Sequence, residues 1–240
     1  MRGIPRNHRL FEVMIMARAT GPTYNLSFKR RRLNLTNYRK RLALLKSAVP
    51  RLVVRKTNRS VIIQLIQFTP KFDKTLVAAN SAELASIGWH PKANLPTAYL
   101  TALLCAERAK VAKIENAVLD IGLQSASKGA FMFATLKGAL DGGLKVPVGE
   151  VKFDEARISG KHIADYAKKI AGSDAYKRQF GDYIKAGKKP EDLDTQFAEA
   201  KKKILSGAIP AKVPKVKAAK PAKPAVKPVA KVPAAKSAKK

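Results

Sequence analysis

From Val13 to Phe72 the chain contains no aspartate or glutamate. The same stretch carries Arg30-Arg31-Arg32, Arg39-Lys40-Arg41, Arg51, Arg55-Lys56 and Arg59. A surface selected only for solubility mixes both signs, whereas unrelieved positive charge opposes the compact state until a polyanion neutralises it and releases its counterions. Cysteine is almost missing too. One thiol, Cys105, excludes an intramolecular disulfide framework and a thiolate metal pair, which fits a reducing compartment; it reads as a small core residue. Long apolar runs are lacking as well. The longest candidates, Val61 to Ile66 and Leu95 to Ala106, fall short of the ~18 residues that read as a membrane span, so a soluble, non-membrane protein is expected.

The basic excess extends over the whole chain: 48 Lys+Arg against 17 Asp+Glu, a formal charge of +31 across 240 residues. On charge alone nucleic acid remains open as RNA or as DNA. No apparatus for catalysis stands out. Asp73, Glu107, Asp120 and Asp141 fall in different elements without local pairing, although their convergence in space stays open. Asp120, at the end of a strand, is the acid to inspect, and the expectation is a cap or an ion pair. His8, His90 and His162 have no Cys or His neighbour at ligand spacing. The chain is therefore read as a non-enzyme without cofactor or metal.

Composition divides the chain. Residues 1–16 form an extension with Arg2, Arg6 and Arg9 ahead of a short apolar patch, unlike a signal peptide. Met14 and Met16 are alternative starts, and the codons for Glu12-Val13 can read as a bacterial-type ribosome-binding sequence, so Met16 is expected to begin the natural protein. Residues 17–50 read as a basic RNA-binding arm with a short helix, 51–150 as an α/β core, 151–206 as a helical extension, and 207–240 as a disordered Lys/Pro/Ala tail. That tail carries prolines at 210, 214, 221, 224, 228 and 233 and no acid, so it cannot sustain a helix. It serves either as a solubilising appendage or as an arm on phosphates.

Within the core, Arg51–Thr57 and Val61–Thr69 are β-branched and apolar and flank Asn58-Arg59-Ser60, which predicts a hairpin; Thr75–Ala79 supplies a third strand. Asn94 caps a helix to about Ile114 with Leu100, Leu103, Leu104 and Val111 on one face, while Ala98, Ala102, Cys105 and Ala109 permit close approach to a sheet. Ala117–Ile121 is a short buried strand. The next helix runs from near Ser127 to Gly142-Gly143, followed by helical patches at Gly160–Ala171, Asp174–Lys185 and Pro190–Ser206.

Several segments combine charge with flat or forked side chains. Gly21-Pro22 makes a turn ahead of Tyr24, Phe28 and the cations Lys29, Arg30, Arg31 and Arg32. Aromatic faces stack on unpaired bases or anchor to the core, and arginine forks grip phosphate. Tyr38, Arg39, Lys40 and Arg41 open a short amphipathic helix whose basic face suits a groove edge. Arg55, Lys56, Thr57, Asn58 and Arg59 crown the hairpin, either as backbone-positioning donors or as a merely hydrophilic tip. Gly122 to Gly129, containing Lys128, follows a strand and opens a helix. It departs from the Walker pattern, because the lysine precedes the second glycine and no Ser or Thr follows to hold magnesium; it is a plain connection or a phosphate contact to RNA.

Read in order, Gly21-Pro22-Thr23-Tyr24, the Arg30 cluster, Asn37 to Ser47, Pro50 to Asn58, Ala98-Tyr99-Leu100-Thr101, Ala117 to Leu123 and Leu136 to Asp141 resemble one family. It is the eighteenth protein of the large ribosomal subunit, archaeal and eukaryotic type, and the resemblance runs from about Ala17 to Ser206. The resemblance implies a cytoplasmic ribosomal protein that binds 5S rRNA and fastens it to 23S rRNA in the central protuberance, beside other large-subunit proteins. It implies a mixed sheet flanked by helices, with topology similar to the ribonuclease H class, whose basic N-terminal segment and sheet surface face 5S rRNA. The matching positions are Tyr24, Arg30 to Arg32, Tyr38 to Arg41, Arg51 and Arg55 to Asn58. Ribonuclease H-like nucleases place a metal-binding aspartate on their first strand, and Arg51–Thr57 has none. Ser159 and Lys161 depart from the more acidic pattern that the resemblance implies there. The alternatives are a chromatin-like DNA-binding protein, favoured by the tail, and a metal-dependent RNA-processing enzyme.

Overall fold

The computed structural model describes residues 21–22, 24–70 and 72–207. The expectations for the N-terminal extension, the Met16 start and the tail beyond Gly207 lie outside the described residues.

Strands β1 (Arg51–Lys56) and β2 (Val61–Phe68) form the expected antiparallel hairpin, with Arg51 opposite Ile66 and Lys56 opposite Val61. The turn between them closes through the Thr57 amide, which donates to the Ser60 carbonyl at 2.8 Å, and through the two hydroxyls at 2.9 Å. Strand β3 (Asp73–Asn80) pairs antiparallel with β2 and begins two residues earlier than Thr75. Strand β4 (Val118–Asp120) pairs parallel with β1, giving a mixed sheet of order β3-β2-β1-β4.

Alternation along the strands decides which face is dry. Leu52, Val54, Val61, Ile63 and Leu65 are fully buried toward the helices, each such side chain worth about 1.5–3 kcal/mol of burial. Arg51, Val53 and Arg55 alternate with them and belong to the opposite face.

Helix α3 (Leu95–Val111) lies on the apolar face against β2 and β3. Asn94 caps it, its Oδ1 accepting from the Thr97 amide at 3.1 Å, as the sequence predicts. The predicted stripe holds for Leu100, Leu103 and Leu104, but Val111 is exposed, because the helix is enclosed on nearly all sides until its last turn. Helix α4 (Phe131–Asp141) packs on α3. A Cβ at Gly138 would overlap the Tyr99 carbonyl oxygen, and one at Gly142 would overlap the Ala106 Cβ. Small residues of α3 therefore serve helix-to-helix contact, at Ala102, where close approach to the sheet was expected, and at Ala106, which that expectation did not include. The left-handed residue after α4 is Gly143, at φ +88°, while Gly142 is right-handed.

Helices α5 (Glu155–Ser159), α6 (Lys161–Lys169), α7 (Asp174–Lys185) and α8 (Leu193–Leu205) complete the described chain, with a 3₁₀ turn at Pro190–Asp192 ahead of α8. They share the core: Phe197 of α8 meets Trp89 at 6.2 Å and Tyr99 at 5.4 Å between ring centroids. Gly160, at φ +90°, stands where a Cβ would press on Leu193 and Pro96.

Candidate nucleic-acid interface

The arm contains two short helices, α1 (Lys29–Arg32) and α2 (Tyr38–Leu45), and neither has a buried residue. Its internal order comes from polar contacts. Arg30 Nε donates to Thr36 Oγ1 at 2.8 Å, Arg32 Nε donates to the Ser27 carbonyl at 3.1 Å, and Asn37 caps α2 by accepting from the Lys40 amide at 3.1 Å. Phe28 and Tyr38 lean together, with ring centroids 5.2 Å apart. Tyr24 is exposed, its amide closing the turn onto the Gly21 carbonyl at 3.0 Å.

One ionic chain joins this arm to the sheet. Arg41 donates to Asp73 Oδ2 at 2.7 Å, and the same oxygen accepts from Arg51 Nη2 at 3.1 Å. Arg51 Nη1 reaches Asp120 Oδ2 at 2.8 Å, and Asp120 Oδ1 accepts from Arg55 at 3.2 Å and from the Gly122 amide at 2.9 Å. The strand register produces this arrangement. Asp120 pairs with Val53 in parallel, so Arg51 and Arg55 flank it diagonally on one face. Asp120 is thus an ion-pair partner, one of the two roles the sequence anticipates, and it closes the turn at Gly122 without capping a helix.

Arg51 departs from its expected place on an RNA-facing surface. It is 3 % exposed and held between two carboxylates, so it is an internal tie. Arg55 is 43 % exposed, but its guanidinium is also committed to Asp120 and to the Val54 and Asp120 carbonyls. Arg41 stands between these cases, bound to Asp73 and 31 % exposed.

The remaining predicted residues are open. Lys29, Arg30, Arg31, Arg39, Lys40, Lys56, Thr57, Asn58, Arg59 and Lys128 are exposed, and Arg32 and Tyr38 are half-buried. Thr57 is engaged within its turn, and Lys56 Nζ sits 5.6 Å from the centroid of the Phe131 ring. Lys128 precedes α4 by more than the sequence implies: the helix starts at Phe131, so the Gly122–Gly129 loop does not itself open it.

The sequence reading missed a recess of about 500 Å³ bounded by Arg31, Asn34, Thr36, Tyr38, Arg39 and Leu123. Leu123 comes from the loop after β4, and no local pattern announces that it meets the arm. The acids once weighed as metal ligands each have a cation instead: Glu107 pairs with Lys110, and Asp141 with Lys137 while accepting from Tyr99. Among the described residues no helix is long and apolar enough to cross a membrane.

Fold and surface together define a basic two-layer α/β protein with a cationic arm tied to its sheet edge. The chain matches the family described as ribosomal large subunit proteins 60S L5 and 50S L18 over residues 22–117 and 111–149. It is also 48 % identical, over 191 residues, to large ribosomal subunit protein uL18 of Ignicoccus hospitalis, covering 78 % of this chain and 94 % of that protein. The chain belongs to this large-subunit ribosomal protein family, and so is a structural constituent of a ribonucleoprotein that works in translation. Membership favours the ribosomal reading over the chromatin-like and RNA-processing alternatives.

Proposed function

We propose that this chain binds 5S rRNA and attaches it to 23S rRNA in the central protuberance. The carrying observation is the arm. Its helices bury nothing, yet it displays Phe28, Leu33, Leu35 and Leu42 beside Lys29, Arg30, Arg31, Arg39 and Lys40. Apolar and cationic groups interleaved in this way suit folded RNA, where exposed bases meet the flat side chains and phosphates meet the cations. The hairpin tip, with Lys56, Asn58 and Arg59, offers a second set of donors for backbone phosphates.

The arm and the hairpin tip are both expected against 5S rRNA. Neighbouring large-subunit proteins are expected against the remaining surface. The reading is tested by mixing the full-length chain with 5S rRNA and 23S rRNA and following sedimentation. The expected result is 5S rRNA travelling with 23S rRNA only when the protein is present. Sedimentation of the 5S rRNA that is indifferent to the protein contradicts the proposal.

A further inference from the structure

We infer that the recess between the arm and the loop after β4 takes one unpaired nucleotide of the bound RNA. This deepens the proposed function and rests on it. The volume, about 500 Å³, lies within the range of roughly 300–1,000 Å³ common to small-ligand sites. A base pair inside an intact helix has both faces stacked and cannot enter such a recess, whereas a bulged or looped nucleotide can be splayed out into it.

The lining specifies the chemistry. Among the described residues no carboxylate borders the recess. Arg31 and Arg39 are exposed and have no ion-pair partner among the described residues, so two guanidinium forks stand ready for phosphate. Two of the side-chain acceptors at the site are already engaged: Thr36 Oγ1 by Arg30 Nε, and Asn37 Oδ1 by the Lys40 amide. The recess therefore presents donors in excess. Asn34 Oδ1 and the Tyr38 hydroxyl remain as acceptors, far fewer than the N–H donors of Arg31 and Arg39, so a nucleotide, with phosphate, ribose and base carbonyl oxygens, matches the recess better than a peptide strand, which brings one backbone N–H for each carbonyl.

Tyr38 and Leu123 supply flat and apolar surface. The Tyr38 ring is held by Phe28, and Leu123, from the loop after β4, remains 54 % exposed in the same recess. A base seated in the recess covers Leu123 and meets a ring that is already oriented, which lowers the ordering cost of binding. Asn34, at φ +50°, holds the left-handed turn on which the arm doubles back, a conformation asparagine tolerates better than most residues.

The test uses the full-length chain and intact 5S rRNA, with Leu123→Trp to fill the recess and Arg39→Gln to remove one fork. Leu123 is exposed, so both variants are expected to melt like the parent, and Leu123→Ala serves as a milder check. Leu123→Trp is expected to weaken binding roughly tenfold or more with an unchanged slope of log K against log salt. Arg39→Gln is expected to reduce that slope by about one. In footprinting by 2′-hydroxyl acylation and dimethyl sulfate, one unpaired nucleotide protected by the parent becomes reactive with Leu123→Trp.

Unchanged affinity and protection with Leu123→Trp, while an Arg30/Arg31/Arg32 variant still weakens binding, overturns the recess assignment and leaves the proposed function intact. Absence of 5S rRNA binding by the parent overturns both. Loss of a ribosomal protein from Leu123→Trp subunits with RNA protection unchanged shows an acidic protein segment in the recess and also overturns it.

Discussion

Arg51 Nη1 and Asp120 Oδ2 lie 2.8 Å apart at the junction of β1 and β4, where the two side chains retain 3 % and 8 % exposure. Sixty-nine residues of chain separate them, and parallel pairing brings them together. Removing one partner of a buried pair leaves the other charge without compensation, at a cost of about 3–5 kcal/mol. Asp120→Ala is therefore expected to lower stability by about 3 kcal/mol or more, because Arg51 Nη1 loses its buried carboxylate while its Nε already has no partner in the parent. Denaturant unfolding measures this; a loss under about 1 kcal/mol would show that Asp73 alone suffices for Arg51.

Gly138 marks one of two close approaches of α4 to α3, with Gly142 the other. Gly138→Ala would gain helix propensity of about 1 kcal/mol on an open surface, but here the new methyl meets the Tyr99 carbonyl. The expected net effect is destabilisation by about 1–3 kcal/mol. Thermal melting decides the sign, and a raised Tm would mean that the helices can move apart at little cost.

Burial pushes the Cys105 thiol up to about 12. The thiolate is the reactive form, so Cys105 is expected to resist thiol reagents in the native protein and to react fully once unfolded. Rapid native labelling would contradict the placement of this side chain in the sealed core.

His90 packs against Tyr183 with ring centroids 4.6 Å apart, and burial, then Lys92 and Lys188, hold its pKa below 6.5, with Asp182 acting in the opposite sense. The folded protein thus binds this proton less readily than the unfolded chain. The associated stability is present above pH 6.5 and is lost as pH falls toward the folded-state value. Melting curves at about pH 7.5 and about pH 5 should show a larger loss for the parent than for His90→Gln. Equal losses would remove His90 from the account.

Local rules made much of the fold legible in the sequence. The hairpin, the Asn94 cap and the end of α4 depend on residues within a few positions of each other, and each appears where expected, to within a residue or two. Arg51 was unreadable for the opposite reason: nothing near it in sequence is acidic, and its carboxylates arrive from 22 and 69 residues away. Val111 misled because a nearly enclosed helix has no dry stripe to count. Leu123 and Asn34 carried no chemical signal until the fold set one beside the other. The arm's free cations were legible because the absence of acid around them left few internal partners.

Arg30 and Arg32 are already positioned by Thr36 and Ser27, so ordering them on contact loses little conformational entropy. Replacing Arg30, Arg31 and Arg32 together by alanine is expected to weaken 5S rRNA binding more than removing residues 208–240. An equal or larger loss on removing those residues would reverse the ranking.

Filter binding of 5S rRNA by the full-length chain across salt concentration bears most directly on the cationic arm. With about six to ten phosphate contacts, affinity should fall roughly 10³- to 10⁵-fold between about 50 and about 200 mM salt. The slope should flatten when Arg30, Arg31 and Arg32 are replaced. Binding that ignores salt, or a slope that the triple replacement leaves untouched, would contradict the placement of RNA phosphate against this arm.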